Sequence, residues 1–178
     1  MAGEERGIKV SQAEAVLSLE IRSRRFAFAV LEQNQILECG AREFPSGPAG
    51  RKIALKKLAF LLRVYSPSRA IARRTRRVDD PSSQSSARLL SAIRRELDRR
   101  GVPCVILKRA DISEFFAGQG CPTKHDIAVH LADRFPVLRE KLPRPRKKWE
   151  PEWWVLAVFD AAGTAVAYEG MGGSAPFG

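Results

Sequence analysis

Two acidic residues stand where an isolated charge is costly. Asp160 lies inside WVLAVFDAAGTAVAY, an otherwise apolar run, where an unpaired buried carboxylate would cost several kcal/mol. It must either pair with a base or open onto a cleft. Glu20 ends the apolar segment AVLSLE; it either marks a site at a strand end or pairs with a nearby base such as Arg22 or Arg73. Against these acids stand two basic runs, RRTRR (Arg73, Arg74, Arg76, Arg77) and RPRKK (Arg144, Arg146, Lys147, Lys148). Guanidinium forks match the geometry of phosphate oxygens. The second run leads into Trp149, Trp153 and Trp154. Exposed indoles stack on unpaired bases, but Trp153 and Trp154 can equally pack a closing helix onto a sheet, and at least one of them is expected to. Arg22 and Arg24, just after Glu20, and Lys124, just after Thr123, complete the phosphate-contact candidates. Thr123 suits an N-cap, and a helix N-terminus beside a lysine suits an anion as well as a plain solvated cap.

The composition points the same way. Lys and Arg total 31 against 20 acids in 178 residues, a net charge of +11. Such a surplus favours polyanions through phosphate contact and counterion release. Cys39, Cys104 and Cys121 are far apart and form no CxxC pair, and the two histidines, His125 and His130, are five apart. A zinc site or a disulfide framework is not expected; Cys39 and Cys104 read as small core residues. No apolar run approaches the roughly 18 residues of a membrane span, and the charged start, Met1 to Val10, has no secretory apolar stretch. These features lead us to expect a cytoplasmic protein with no membrane partner.

The elements that must position these residues follow from apolar periodicity. Residues 1–13 are polar and read as a tail, and 170–178 as a Gly-rich tail; one domain fills 14–169. Within it, Ala15–Glu20, Phe26–Leu31 and Ile36–Phe44 read as three strands joined by short polar turns, an antiparallel meander. PSGPAG (45–50) breaks the chain. Ile53–Val64 has helical spacing, Arg69–Ala72 is a short buried strand, and Ser82–Arg100 is a helix with Leu90, Ile93 and Leu97 as its stripe. Val102–Leu107 is a strand, which makes the second half alternate helix and strand and implies parallel pairing. A short helix over Ala110–Phe116, another from Pro122–Thr123 to Arg134, an irregular basic stretch and a closing helix over Glu152–Tyr168 complete the chain. The order is that of an α/β ribonuclease H-like fold: a mixed five-stranded sheet, three antiparallel strands then two parallel, flanked by helices.

Five segments together resemble the RuvC family of Holliday-junction resolvases: LEIRSRRFAFAVLEQNQILECG, RAIARR, SSARLLSAIRRELDRRGVPCVIL, FFAGQGCPTKHDIAVHLADRFP and WVLAVFDAAGTAVAY. The resemblance covers roughly residues 14–168. It implies phosphodiester hydrolysis in branched DNA with two Mg²⁺ (or Mn²⁺) ions held by converging carboxylates. By that resemblance Glu20 and Asp160 are the catalytic acids and metal ligands. At the expected strand-four acid the matching residue is Ala72, flanked by Arg73, and one turn before Asp160 stands Ala157; neither carries a carboxylate. Asp79, Asp80 and Glu152 are the acids that could substitute, although Glu152 stands about 12 Å along a helix from Asp160; Glu43 and Glu114 have no motif behind them.

Three functions remain open at this point. One is a metal-dependent endonuclease acting on branched DNA. Another is a degenerate relative that keeps the fold as a nucleic-acid-binding module or a subunit of a larger complex. The third is an RNA-processing nuclease. A homodimer fits the first, since a junction has paired strands to cut.

Overall fold

The computed structural model of the chain describes residues 14–73, 81–145, 147, 149–150 and 153–173. The three apolar N-terminal segments form β1 (Val16–Ile21), β2 (Arg25–Glu32) and β3 (Gln35–Glu43). They pair antiparallel, with Leu19 opposite Phe28 and Ala29 opposite Cys39. Gln33 and Asn34 take positive φ between β2 and β3, the backbone that a two-residue hairpin requires. β4 (Arg69–Arg73) and β5 (Cys104–Leu107) then join parallel, giving the order β3-β2-β1-β4-β5 with β1 at the centre. The mixed sheet expected from the sequence is thus the sheet observed.

Side-chain alternation divides the sheet into two faces. Leu17, Leu19, Ile21, Phe26, Phe28, Ala70 and Ala72 point to one core, closed by α1 (Gly47–Tyr65) and α2 (Pro81–Arg99). Ala27, Ala29, Leu31 and Ile71 point to the other, closed by α3 (Arg109–Gly118), α4 (Lys124–Arg134), the short α5 (Pro136–Arg139) and α6 (Leu156–Gly170). On this second face the central residues are small, and α6 meets them with Ala161, Ala162 and Ala165. Small side chains on both surfaces let the helix lie across β1, β2 and β4. From Ala161 to Tyr168 every residue of α6 is buried, as its apolar sequence on all sides demands.

Several boundaries differ from the sequence reading. α1 begins at Gly47, inside PSGPAG, because Pro48 suits a first helical turn. Gly50 is required there: a Cβ would stand 1.6 Å from the Pro45 carbonyl oxygen. In α2 the fully buried stripe is Leu89, Ile93 and Leu97, with Leu90 at its edge. The sequence reading made Cys39 and Cys104 core residues; both are only half-buried, and Cys121 is the buried one. The closing helix starts at Leu156, preceded by a tight turn in which Leu156 N donates to Trp153 O and Ala157 N to Trp154 O. That turn faces the indoles outward. Trp149, Trp153 and Trp154 are 79%, 43% and 59% exposed, so neither Trp153 nor Trp154 packs the helix onto the sheet as expected.

Candidate functional site

Glu20 is the fifth residue of β1 and faces α6, together with Ser18 and the β2 partner of Glu20, Ala27. Asp160 lies one turn into α6, immediately before its fully buried stretch. The two carboxylates meet at one guanidinium. Arg73 Nη2 donates to Glu20 Oε1 at 2.5 Å and to Asp160 Oδ2 at 3.3 Å. Arg22 closes the cluster from the β1–β2 turn: its Nη2 donates to Asp160 Oδ2 at 3.4 Å, and its Nε forms an ion pair with Glu20 Oε1 at 2.9 Å without a hydrogen bond. Lys124 Nζ stands 3.6 Å from Asp160 Oδ2. Among the described residues, two carboxylates therefore face three cations.

Burial makes these contacts strong. The side chains of Glu20, Arg73 and Asp160 are 5%, 11% and 15% exposed. Burial pushes the Glu20 carboxyl above its usual range. Arg73 opposes this, Asp160 adds to it and Arg22 opposes it again. The ion pairs offset a desolvation cost that neither acid could bear alone.

Strand alternation corrects the placement of the strand-four residue. Ala72 pairs beside Leu19 and points into the α1–α2 core, fully buried. Arg73, one residue on, shares the face of Ile71 and of Glu20. The position next to Glu20 is thus held by a cation and not by a small residue. A period of two puts Arg69, Ile71 and Arg73 of RAIAR on one face, but only the pairing with β1 shows that Glu20 lies on that face.

The remaining candidates are placed as follows. Lys124 opens α4 behind a complete capping box: Asp126 N donates to Thr123 Oγ1 at 3.1 Å, and Thr123 N donates to Asp126 Oδ2 at 3.0 Å. The Thr123 hydroxyl, which donates to Asp126 Oδ2 at 2.6 Å, and after it the Thr123 N–H hold the Asp126 carboxyl below its usual range and put a negative charge at the helix start, where an anion would otherwise sit. Arg24 is exposed in the β1–β2 turn. Arg144 donates to Glu150 at 2.8 Å and lies over the Trp153 ring; Lys147 lies over Trp149. Glu43 is exposed beside Arg25. Arg74, Arg76, Arg77, Asp79, Asp80, Arg146, Lys148 and Glu152 lie outside the described residues.

A divalent metal of the Mg²⁺ type needs several converging oxygen ligands. Among the described residues no group of three or more His, Cys, Asp or Glu is placed to hold one, and the two acids that do converge bond a guanidinium. The donor set of the described residues does not fit Mg²⁺ or Mn²⁺.

Comparison with solved structures identifies the architecture. Thermus thermophilus RuvC, solved in complex with a Holliday junction, superposes with a TM-score of 0.67 at 15% identity, covering 92% of this chain and 99% of its own. The fold is that of a RuvC resolvase. The yeast mitochondrial Holliday junction resolvase gives a TM-score of 0.62 at 13% identity over 88% of this chain and 79% of its own. The fowlpox virus resolvase, solved with Holliday junction DNA, gives 0.53 at 10% over 88% and 99%. No protein-family model matches the sequence, and no curated protein matches it. The RuvC fold is therefore visible in the backbone at identities where no family model and no curated protein matches. No helix among the described residues is long and apolar enough to cross a membrane.

Proposed function

We propose that this chain binds branched DNA on a RuvC fold and does not cut it. The observation that carries the reading is Arg73, whose guanidinium joins Glu20 to Asp160 where a resolvase would need a metal ion between carboxylates. A cation cannot be a ligand to a cation, and its positive charge repels a second one. On this reading the side chain that holds the site together also stands in the way of the metal route.

Binding has separate support. The net charge is +11, and exposed Arg24, Arg144 and Lys147 lie outside the buried cluster. Two of the solved structures that share the fold hold a Holliday junction, which makes a four-way junction the first substrate to test here. A junction presents paired strands, so a homodimer, or this chain as one subunit of a larger complex, is the assembly that the reading calls for. The cytoplasmic location expected from the sequence goes with it.

The test is a gel-shift series in EDTA with a labelled four-way junction, its linear duplex, single-stranded DNA and structured RNA, across a range of salt. The reading predicts tightest binding to the junction, weakening steeply as salt rises. Equal binding to all four, or a preference for RNA, contradicts it.

A further inference from the structure

A cleft of about 330 Å³ opens beside the ion-pair cluster, lined by Arg22, Ser23, Arg24, Arg25, Trp153, Trp154 and Ala157. Its walls differ in chemistry. The β1–β2 turn and the first residue of β2 supply Arg22, Arg24 and Arg25; the turn before α6 supplies two indoles. The floor is Ala157, one helical turn before Asp160 and buried. A longer side chain at that position would occupy the cleft. Arg22 connects the cleft to the cluster, because it is held by Asp160 on one side and lines the cleft on the other.

We propose that this cleft holds one unpaired nucleotide of a DNA strand, its base against Trp153 and Trp154 and its phosphate against the arginines of the β1–β2 turn. The inference rests on the DNA-binding reading and adds the feature that is recognised: an unstacked base at a branch or bulge. Three physical points carry it. The volume lies at the small end of ligand sites, which suits one base and excludes a duplex. Two indoles, adjacent in sequence and each more than two-fifths exposed, line the cleft; Arg144 lies over the Trp153 ring, and any base can stack on an exposed indole. Arginine forks at the rim match phosphate oxygens, and Arg24 is exposed there.

The test uses the full chain and duplexes that carry a single 2-aminopurine, either paired or as a one-nucleotide bulge. Wild type should bind the bulged duplex about tenfold more tightly than the paired one, with the 2-aminopurine fluorescence quenched on binding. The Trp153→Ala/Trp154→Ala variant should lose both the preference and the quenching while keeping its affinity for paired duplex and its salt dependence. Circular dichroism checks its fold, and Ala157→Leu, which fills the floor and leaves both indoles in place, should lose the preference as well. A preference that survives in both variants, or no preference in wild type that nevertheless binds duplex, overturns the cleft proposal alone. Failure of wild type to bind any DNA overturns the DNA-binding reading and this inference with it.

Discussion

Arg73 and Glu20 stand side by side on the ends of neighbouring parallel strands, their side chains joined at 2.5 Å on the face covered by α6. The pair is buried, and the guanidinium also reaches Asp160. Breaking a buried pair from one side leaves an uncompensated charge, at a cost of about 3–5 kcal/mol. Arg73→Met should therefore destabilise the protein by about that much in urea unfolding. Glu20→Met/Arg73→Met should recover most of the loss, because apolar residues of similar volume replace a buried pair at little cost, and Asp160 keeps Arg22 and Lys124. Additive losses in the double variant would show that the two side chains do not act as a pair.

The Glu20 carboxyl has a sign that can be checked. Its pKa in the folded protein is raised above the ordinary 4.5, chiefly by burial. A raised folded-state pKa means that the folded state holds its proton longer than the unfolded chain does. The contribution to stability is full below about 4.5 and is lost as pH rises through the folded value. Glu20→Gln has no such proton. Its stability relative to wild type should rise with pH from 4 upward, whatever the offset between the two at pH 4. A difference that is flat would mean that the arginines balance burial, and one that falls with pH that they outweigh it.

Exchanging the cation for an acid should create what the wild-type site lacks. Arg73→Glu places a third carboxylate beside Glu20 and Asp160, and Arg22 and Lys124 remain to limit their repulsion. In that variant Mn²⁺ should raise the melting temperature, by an amount equivalent to about 2.7 kcal/mol at a hundredfold excess over Kd, and Mg²⁺ should do so more weakly. Wild type should show no shift with either ion. A shift of equal size in wild type would contradict the donor-set argument.

The fold was largely legible in the sequence, because the apolar run FAFAVL and the helix–strand order after PSGPAG are local signals. That Glu20 and Asp160 come to one place was expected through the family resemblance alone, since a charge in an apolar segment marks each residue but does not join the two. Three features were not legible. The phase of β4 needed its partner strand: Ala72 and Arg73 differ by one residue in sequence and by a whole face in the sheet. The start of α6 depends on the tight turn at Trp153–Val155, which no periodicity marks. The cleft joins residues more than 120 positions apart, so only the folded chain brings its tryptophans to the β1–β2 turn.

The basic surface makes a quantitative prediction. Each phosphate contact contributes about 0.9 to the slope of log K against log salt on duplex DNA. Arg24→Ala and Lys147→Ala, both exposed side chains, should each lower that slope by about this amount and weaken binding to all sequences alike. Arg144→Ala should lower it less, because Arg144 is already engaged by Glu150. Unchanged slopes in all three variants would place the DNA elsewhere on the molecule.

The most direct test is a cleavage assay on a labelled four-way junction with Mg²⁺, Mn²⁺ or EDTA, run beside the Glu20→Gln/Asp160→Asn variant. The account predicts that wild type binds the junction and leaves it intact in every metal. Metal-dependent cutting by wild type that disappears in the double variant would contradict it, and would make Glu20 and Asp160 the centre of an active nuclease.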